Sequence, residues 1–186
     1  GLSEPKSFSL WSQLTKNAYF VLDVGAYTGY YGIIAAMRGK DRQVFAYEPV
    51  SFIYARAASN FIINNLTNIK LENIAISDVS GAAELSLRFG PKLFSSGTKL
   101  VEEGTSHTGL RILSKTVSLD ELHSEHPVDL IKIDVEGAEK RVLKGSSKII
   151  QKAKPVILLE TRPQTHNDVV AYLESFNYKT FQQIMN

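Results

Sequence analysis

The stretch from Ala18 to Met37 constrains this chain most. It reads Ala-Tyr-Phe-Val-Leu-Asp-Val-Gly-Ala-Tyr-Thr-Gly-Tyr-Tyr-Gly-Ile-Ile-Ala-Ala-Met. A short apolar run, Tyr19 to Val24, is broken only by Asp23. Gly25 and Gly29 follow, and then a helix-forming apolar run from Ile33 to Met37. The pattern predicts a buried strand, a tight turn and a helix. Glycine suits such a turn because it reaches positive φ without steric cost and lets a ligand lie against the backbone. The first N–H groups of the helix lack partners within it, so a polar or anionic group can dock there.

The arrangement is Asp-x-Gly-x-x-x-Gly, with Tyr27 where a dinucleotide fingerprint carries its second glycine. That glycine lets a pyrophosphate approach the backbone. Its absence argues against a nicotinamide or flavin dinucleotide and for a nucleoside ligand without a pyrophosphate. A plain βα turn with no ligand is the competing reading.

A chain of 186 residues fits one domain. Residues 1–17 read as a helical lead-in, with Leu10, Trp11 and Leu14 at helical spacing. The stripe would pack against the sheet edge or form a lid. A single α/β unit is expected over 18–186. The net charge of +2 comes without a basic block, so nothing calls for nucleic acid or an acidic membrane. There is no cysteine, hence no disulfide and no thiolate metal site. No apolar run is long enough to span a membrane. The opening Gly1-Leu2-Ser3-Glu4-Pro5-Lys6 does not read as a signal peptide, and a cytoplasmic location is expected.

Gln43 to Tyr47 is a second strand, ending at Glu48-Pro49. Glu48 lies 25 positions after Asp23, close to the offset at which nucleoside-binding folds set an acid on the ribose. Ser51 would cap a helix from Phe52 to Asn65. Ile69 to Ile76 is a third strand, followed by Ser77-Asp78. An acid there, or the N–H groups of Ile76 and Ser77, would reach an adenine; turn chemistry over Ser77 to Gly81 is the alternative. Ala83 to Arg88 and Lys115 to Ser118 would pair. Between them lies an irregular insertion at about 89–114 that carries Glu102, Glu103 and His107 and reads as a substrate-side lid. A short helical link follows at Leu119 to His123.

Val128 to Ile133 is a fourth strand, ending in Asp134-Val135-Glu136-Gly137-Ala138-Glu139. In an open α/β sheet, ligands bind outside the carboxyl ends of the strands, where Asp134 and Glu136 fall. The dipole of the next helix accounts for Glu139 well and for Asp134 poorly. Val156 to Leu159 is a fifth strand ending at Glu160. Thr165 or Asn167 would cap a helix to Ser175, Asn177 would close it with a left-handed residue, and Tyr178 to Ile184 would be a sixth strand.

Leu22 to Tyr30, Tyr47-Glu48-Pro49, Ala75-Ile76-Ser77-Asp78 and above all Ile131 to Glu139 resemble the FkbM-type family of S-adenosylmethionine-dependent methyltransferases. The resemblance covers roughly residues 19–177. It implies a Rossmann-like methyltransferase fold, with a mostly parallel central sheet and helices on both faces. It also implies methylation, typically of a hydroxyl on a sugar or natural-product small molecule. By position, Asp23, Gly25 and Gly29, with Ala26 and Tyr27 of the same loop, would line the methionine side of the cofactor. Glu48 would hold the ribose, Ile76 and Asp78 would lie near the adenine, and Asp134 would face the transfer site. Tyr27 stands where the family usually has Asn. Such sheets usually add a seventh, antiparallel strand, which this chain is expected to lack.

For a hydroxyl acceptor, a carboxylate beside the methyl serves as base. Asp134 and Glu136 are the candidates, with Glu160 and His107 behind them. A metal could acidify the hydroxyl instead, but the residues form no clear ligand set. The rivals are an adenosyl-binding module without turnover and a nicotinamide-dependent oxidoreductase.

Overall fold

The computed structural model describes residues 5–87, 98–100 and 110–181. In chain order the elements are α1 (Pro5–Leu14), β1 (Phe20–Val24), α2 (Tyr30–Ala36), β2 (Gln43–Tyr47), α3 (Ser51–Ile63), β3 (Ile69–Glu72), β4 (Ala75–Ile76) and β5 (Gly81–Leu87). They continue with β6 (Thr98–Leu100), β7 (Leu110–Val117), α4 (Leu119–His123), β8 (Leu130–Ile133), α5 (Glu139–Lys144), α6 (Ser147–Ala153), β9 (Val156–Leu159) and α7 (Pro163–Glu174).

The central sheet is parallel throughout, in the order β3-β2-β1-β8-β9. The chain winds outward from β1 through β2 to β3, then returns to lay β8 on the other side of β1. The switch point therefore lies between β1 and β8, and the ligand crevice of such a sheet opens at their carboxyl ends.

Strand alternation divides the core. Phe20, Leu22, Val24, Ile131 and Ile133 face one side, where Leu119 of α4, Val142 and Leu143 of α5, Ile149 and Ile150 of α6 and Val169 of α7 pack. Val21 and Leu130 face the other side, with Trp11 of α1 and Ala35 and Ala36 of α2. Helices thus cover both faces, and both faces of β1 and β8 are buried, as parallel strands require.

Helix α1 lies against α2. The Trp11 indole is fully buried and donates to the Tyr31 carbonyl at 2.9 Å. Phe8 stacks edge-on against Tyr30. Leu14 joins this cluster, whereas Leu10 is exposed. The stripe packs against α2 and clusters with Val21, Val44 and Leu130 on a face of the central sheet.

Several local expectations change. The third strand is split: β3 ends at Glu72, and β4 joins a second sheet in the order β4-β7-β5-β6. Its centre is an antiparallel β5–β7 pair running from Gly81↔Thr116 to Leu87↔Leu110, so pairing starts well inside the stretch expected to be irregular. Residues 88–97 and 101–109 of that stretch, with Glu102, Glu103 and His107, lie outside the described residues. Ser51 does not cap α3: the N-cap is Val50, and the Ser51 hydroxyl donates to Asn73 Oδ1 instead. Helix α7 starts earlier than expected, with Arg162 at the N-cap and Pro163 in the first turn, because proline's missing N–H is tolerated there.

Helix α7 closes as predicted. Asn177 is left-handed (φ 62°), its N–H reaches the Glu174 carbonyl, and the Tyr178 N–H reaches the Leu173 carbonyl. The Tyr178 hydroxyl donates to the Pro155 carbonyl at 2.9 Å. Residues 178–181 form no strand, and 182–184 of the expected sixth strand lie outside the described residues.

His123 of α4 is buried among Phe20, Phe45 and His126, and its Nε2 meets the Tyr47 hydroxyl at 2.5 Å. Burial lowers its pKa from 6.5 to about 4. The unfolded chain therefore binds this proton first on acidification. The contribution of His123 to stability is complete above pH 6.5 and is lost as pH falls through 4. Urea unfolding of His123→Gln should accordingly show a smaller loss of midpoint than wild type between pH 7 and pH 4. Parallel losses in the two proteins would contradict the assignment.

Candidate active site at the carboxyl ends of β1, β2 and β8

The loop after β1 is held by the chain itself. The Gly25 and Ala26 N–H groups both donate to the Tyr47 carbonyl, at 3.1 and 2.9 Å, and Gly29 N–H donates to the Ala26 carbonyl. Tyr27 N–H donates to Glu48 Oε2 at 2.9 Å, while Glu48 Oε1 accepts from Val50 N–H at 2.9 Å. Glu48 thus clamps the β1 loop to the turn after β2. It is 5% exposed. Desolvation raises its pKa from 4.5 to about 7, against the lowering effect of the two backbone N–H bonds. Each carboxylate oxygen has a second lone pair, so these bonds leave accepting capacity for a ligand hydroxyl.

Gly25 and Gly29 are both left-handed, with φ of 74° and 82°. The close approaches they permit come from the protein. A Cβ at Gly25 would stand 1.9 Å from the Asp134 carbonyl oxygen, and one at Gly29 would stand 2.4 Å from the Phe61 ring. Tyr27 is also left-handed (φ 52°), a conformation that Asn adopts more readily than Tyr.

Asp23 is fully buried on the α2 side of the sheet. Its Oδ2 accepts from Gly32 N–H at 2.9 Å. The N-cap of α2, Gly29, has no side chain to do this, so a strand residue caps the helix from below. One of the N–H groups expected to be open at the start of α2 is thus taken by the protein itself. Burial raises the Asp23 pKa, and Lys132 works against that rise.

Lys132 was not singled out from the sequence, and it organises the site. It lies in β8 directly opposite Asp23 in the parallel register and is 4% exposed. Its Nζ donates to the Gly25 carbonyl at 2.7 Å. The same ammonium is 3.6 Å from Asp23 Oδ1 and 3.5 Å from Asp134 Oδ2, with the Tyr31 ring centroid 5.0 Å away. The available signal was a lysine inside Leu130 to Ile133, an otherwise apolar strand. A charge is seldom buried there without partners.

Asp134 follows β8 and is about one-third exposed, so it is the open carboxylate of this cluster. Glu136 is left-handed (φ 54°) and pairs with the Arg162 guanidinium at the start of α7. Glu139, 1% exposed in the first turn of α5, accepts from Gly137 N–H at 2.6 Å, as its position at a helix start suggested. Glu160, after β9, is exposed.

The residues after β4 stand differently. Ile76 and Ser77 are buried. Ser77 N–H is committed to the Val117 carbonyl at 3.0 Å, so it is not available to read an adenine ring. The Ser77 hydroxyl donates to Asp78 Oδ1 at 3.0 Å, and Asp78 stands 4.0 Å from Arg141. Among the described residues no cluster of three His, Asp or Glu side chains has metal-binding geometry, and no helix is long and apolar enough to cross a membrane.

The methyltransferase FkbM domain matches residues 23–180. Methyltransferase sdnD of Sordaria araneosa is 28% identical over 157 residues, covering 68% of this chain and 60% of the relative. Methyltransferase 1 of Beauveria bassiana is 23% identical over 145 residues, covering 68% and 57%. The chain spans about 60% of the length of these curated relatives. Among solved structures, the precorrin-6y C5,15-methyltransferase of Geobacter metallireducens superposes with a TM-score of 0.58 at 16% identity, covering 92% of this chain and 69% of that one. That likeness establishes the Rossmann-like fold. With the domain match running from Asp23 in β1 past the end of α7, the chain belongs to the FkbM methyltransferase family, whose members take the methyl group from S-adenosylmethionine.

Proposed function

We propose that the protein binds S-adenosylmethionine at the carboxyl ends of β1, β2 and β8 and methylates a hydroxyl group of a small molecule, a sugar or natural product. The observation that carries this reading is the placement of Glu48, the Gly25–Gly29 loop and Asp134 around the switch point of the sheet, within a chain of the FkbM family. A dinucleotide fits less well. Gly25, Ala26, Tyr27 and Gly29 have already given their N–H groups to protein oxygens, so these amides are not available to a pyrophosphate.

The fit to the adenosyl group rests on Glu48, whose remaining lone pairs suit two ribose hydroxyls. Bound there, the cofactor supplies an activated methyl group. The chain's own task is to orient the acceptor hydroxyl and remove its proton. Asp134 is the better placed carboxylate for that proton, since it lies at the switch point and is partly open. Both carboxylates have a cationic partner, Lys132 for Asp134 and Arg162 for Glu136; Glu136 lies two residues further beyond the end of β8, which makes it the second choice.

Calorimetric titration of S-adenosylmethionine, S-adenosylhomocysteine and NAD tests the reading. The two adenosyl ligands should bind with micromolar Kd, NAD should not, and Glu48→Ala should weaken both by about tenfold or more, or about 1.4 kcal/mol. NAD binding alone would favour an oxidoreductase. Adenosyl binding with no turnover over a broad acceptor panel would favour a binding module.

Glu48 also sets a pH dependence. Its carboxyl is neutral below about pH 7 and ionised above, and the ionised form accepts both ribose hydroxyls. Affinity for S-adenosylhomocysteine should therefore rise as pH is raised from 6 to 8, with a limiting slope of about tenfold per pH unit below 7. The profile should flatten in Glu48→Gln.

Once an acceptor is in hand, Asp134→Asn should keep adenosyl binding within about tenfold and lower turnover by about a hundredfold or more. Unchanged turnover would move the base to Glu136, testable in the same assay with Glu136→Gln.

A further inference from the structure

Among the described residues, Lys132 is the buried cation that the proposed mechanism does not use. Its surroundings on the α2 side of the sheet are Asp23 from β1, Asp134 from the end of β8, the Gly25 carbonyl and the Tyr31 ring of α2. Trp11 and Phe8 of α1 pack behind Tyr31. The 2.7 Å bond to Gly25 fixes the ammonium directly under the loop that would carry the reactive end of the cofactor.

Two carboxylates and one ammonium leave this cluster with a single negative charge when all three are ionised. Asp23 is fully buried and Lys132 nearly so, so the charges are weakly screened. The methyl donor carries a positive sulfonium, and its product is a neutral thioether. Adenosine and amino acid portions are common to both. A local charge therefore acts on the difference between them and on little else.

Resting on the methyltransferase reading above, we infer that Lys132 determines how strongly the site prefers the sulfonium donor over the thioether product. It does so by cancelling one of the two carboxylate charges beneath the Gly25 loop. Without Lys132, the partly exposed Asp134 carboxylate would lose its counter-ion and would retain the cationic donor more strongly relative to the product.

The test is the ratio of the two dissociation constants, S-adenosylhomocysteine over S-adenosylmethionine, measured by calorimetry at pH 8 in the full chain. Glu48 touches the shared ribose, so its effect cancels in the ratio. Lys132→Met should raise the ratio by about fivefold or more, and Lys132→Arg should return it towards the wild-type value. Asp134→Asn removes a negative charge from the same cluster and should lower the ratio by about threefold or more.

Opposite shifts in the two variants support the inference. A purely structural counterion would weaken both ligands alike, and an unmoved ratio in Lys132→Met and Asp134→Asn would overturn the inference while leaving the methyltransferase reading intact. If Lys132→Met does not fold, Asp134→Asn still decides, because its side chain is partly exposed and an unmoved or raised ratio there is equally adverse. Binding of neither ligand by the wild-type chain would overturn the methyltransferase reading, and this inference with it.

Discussion

The architecture of the site depends on one buried ion cluster. Asp23 in β1 and Lys132 in β8 face each other across the parallel register, and Asp134 completes the set one residue beyond the strand. A lone buried charge would be prohibitive. Here the two buried ions each have a charged partner and a backbone partner: Asp23 takes the Gly32 N–H, and Lys132 gives to the Gly25 carbonyl. Removal of one member would leave another buried without compensation, which is strongly destabilising in such pairs. The cluster therefore locks β1, β8, the start of α2 and the glycine loop into one geometry at the switch point.

Backbone conformation reinforces that geometry. The loop after β1 and the loop after β8 each contain a non-glycine residue in the left-handed region, Tyr27 and Glu136. Such residues carry a strain of order 1–3 kcal/mol and persist only where neighbours over-determine them. The determinants are visible in both loops. Glu48 holds the Tyr27 N–H, and Arg162 pairs with the Glu136 carboxylate. Gly25 has a different task. It lets the Asp134 carbonyl come against the β1 loop, where any side chain would collide. The two loops that flank the proposed transfer site are thereby packed directly on each other.

Much of the fold was legible because parallel strands announce themselves as short apolar runs. β1, β2 and β9 fall where the periodicity places them, and β5 lies close to its expected position, whereas β7 starts at Leu110 and not at Lys115. The left-handed closure at Asn177 was legible for a local reason, since Asn tolerates positive φ. The failures share a cause too. Ser51 is a good cap by composition, but Asn73 competes for its hydroxyl. The run from Ile69 to Ile76 is continuous in hydrophobicity, and only pairing partners reveal that it serves two sheets. Ser77 N–H looked available to a ligand because its partner, the Val117 carbonyl, is forty residues away in the chain.

The sequence by itself determined the βα order, the placement of Glu48 and Asp134 at strand ends, and the family. These follow from local pattern, from proline and glycine punctuation, and from short motifs. Only the tertiary structure decided what the charged groups do. Asp23 reads as a ligand contact in sequence and proves to be a buried helix cap. Lys132, which no sequence pattern singled out, proves to be the counterion of two acids. Glycines that read as room for a ligand are first of all room for the protein's own Asp134 carbonyl and Phe61 ring. Periodicity tells which residues are inside, but the partner of a buried charge is set by strand register and the packing of distant segments, and those are properties of the folded chain.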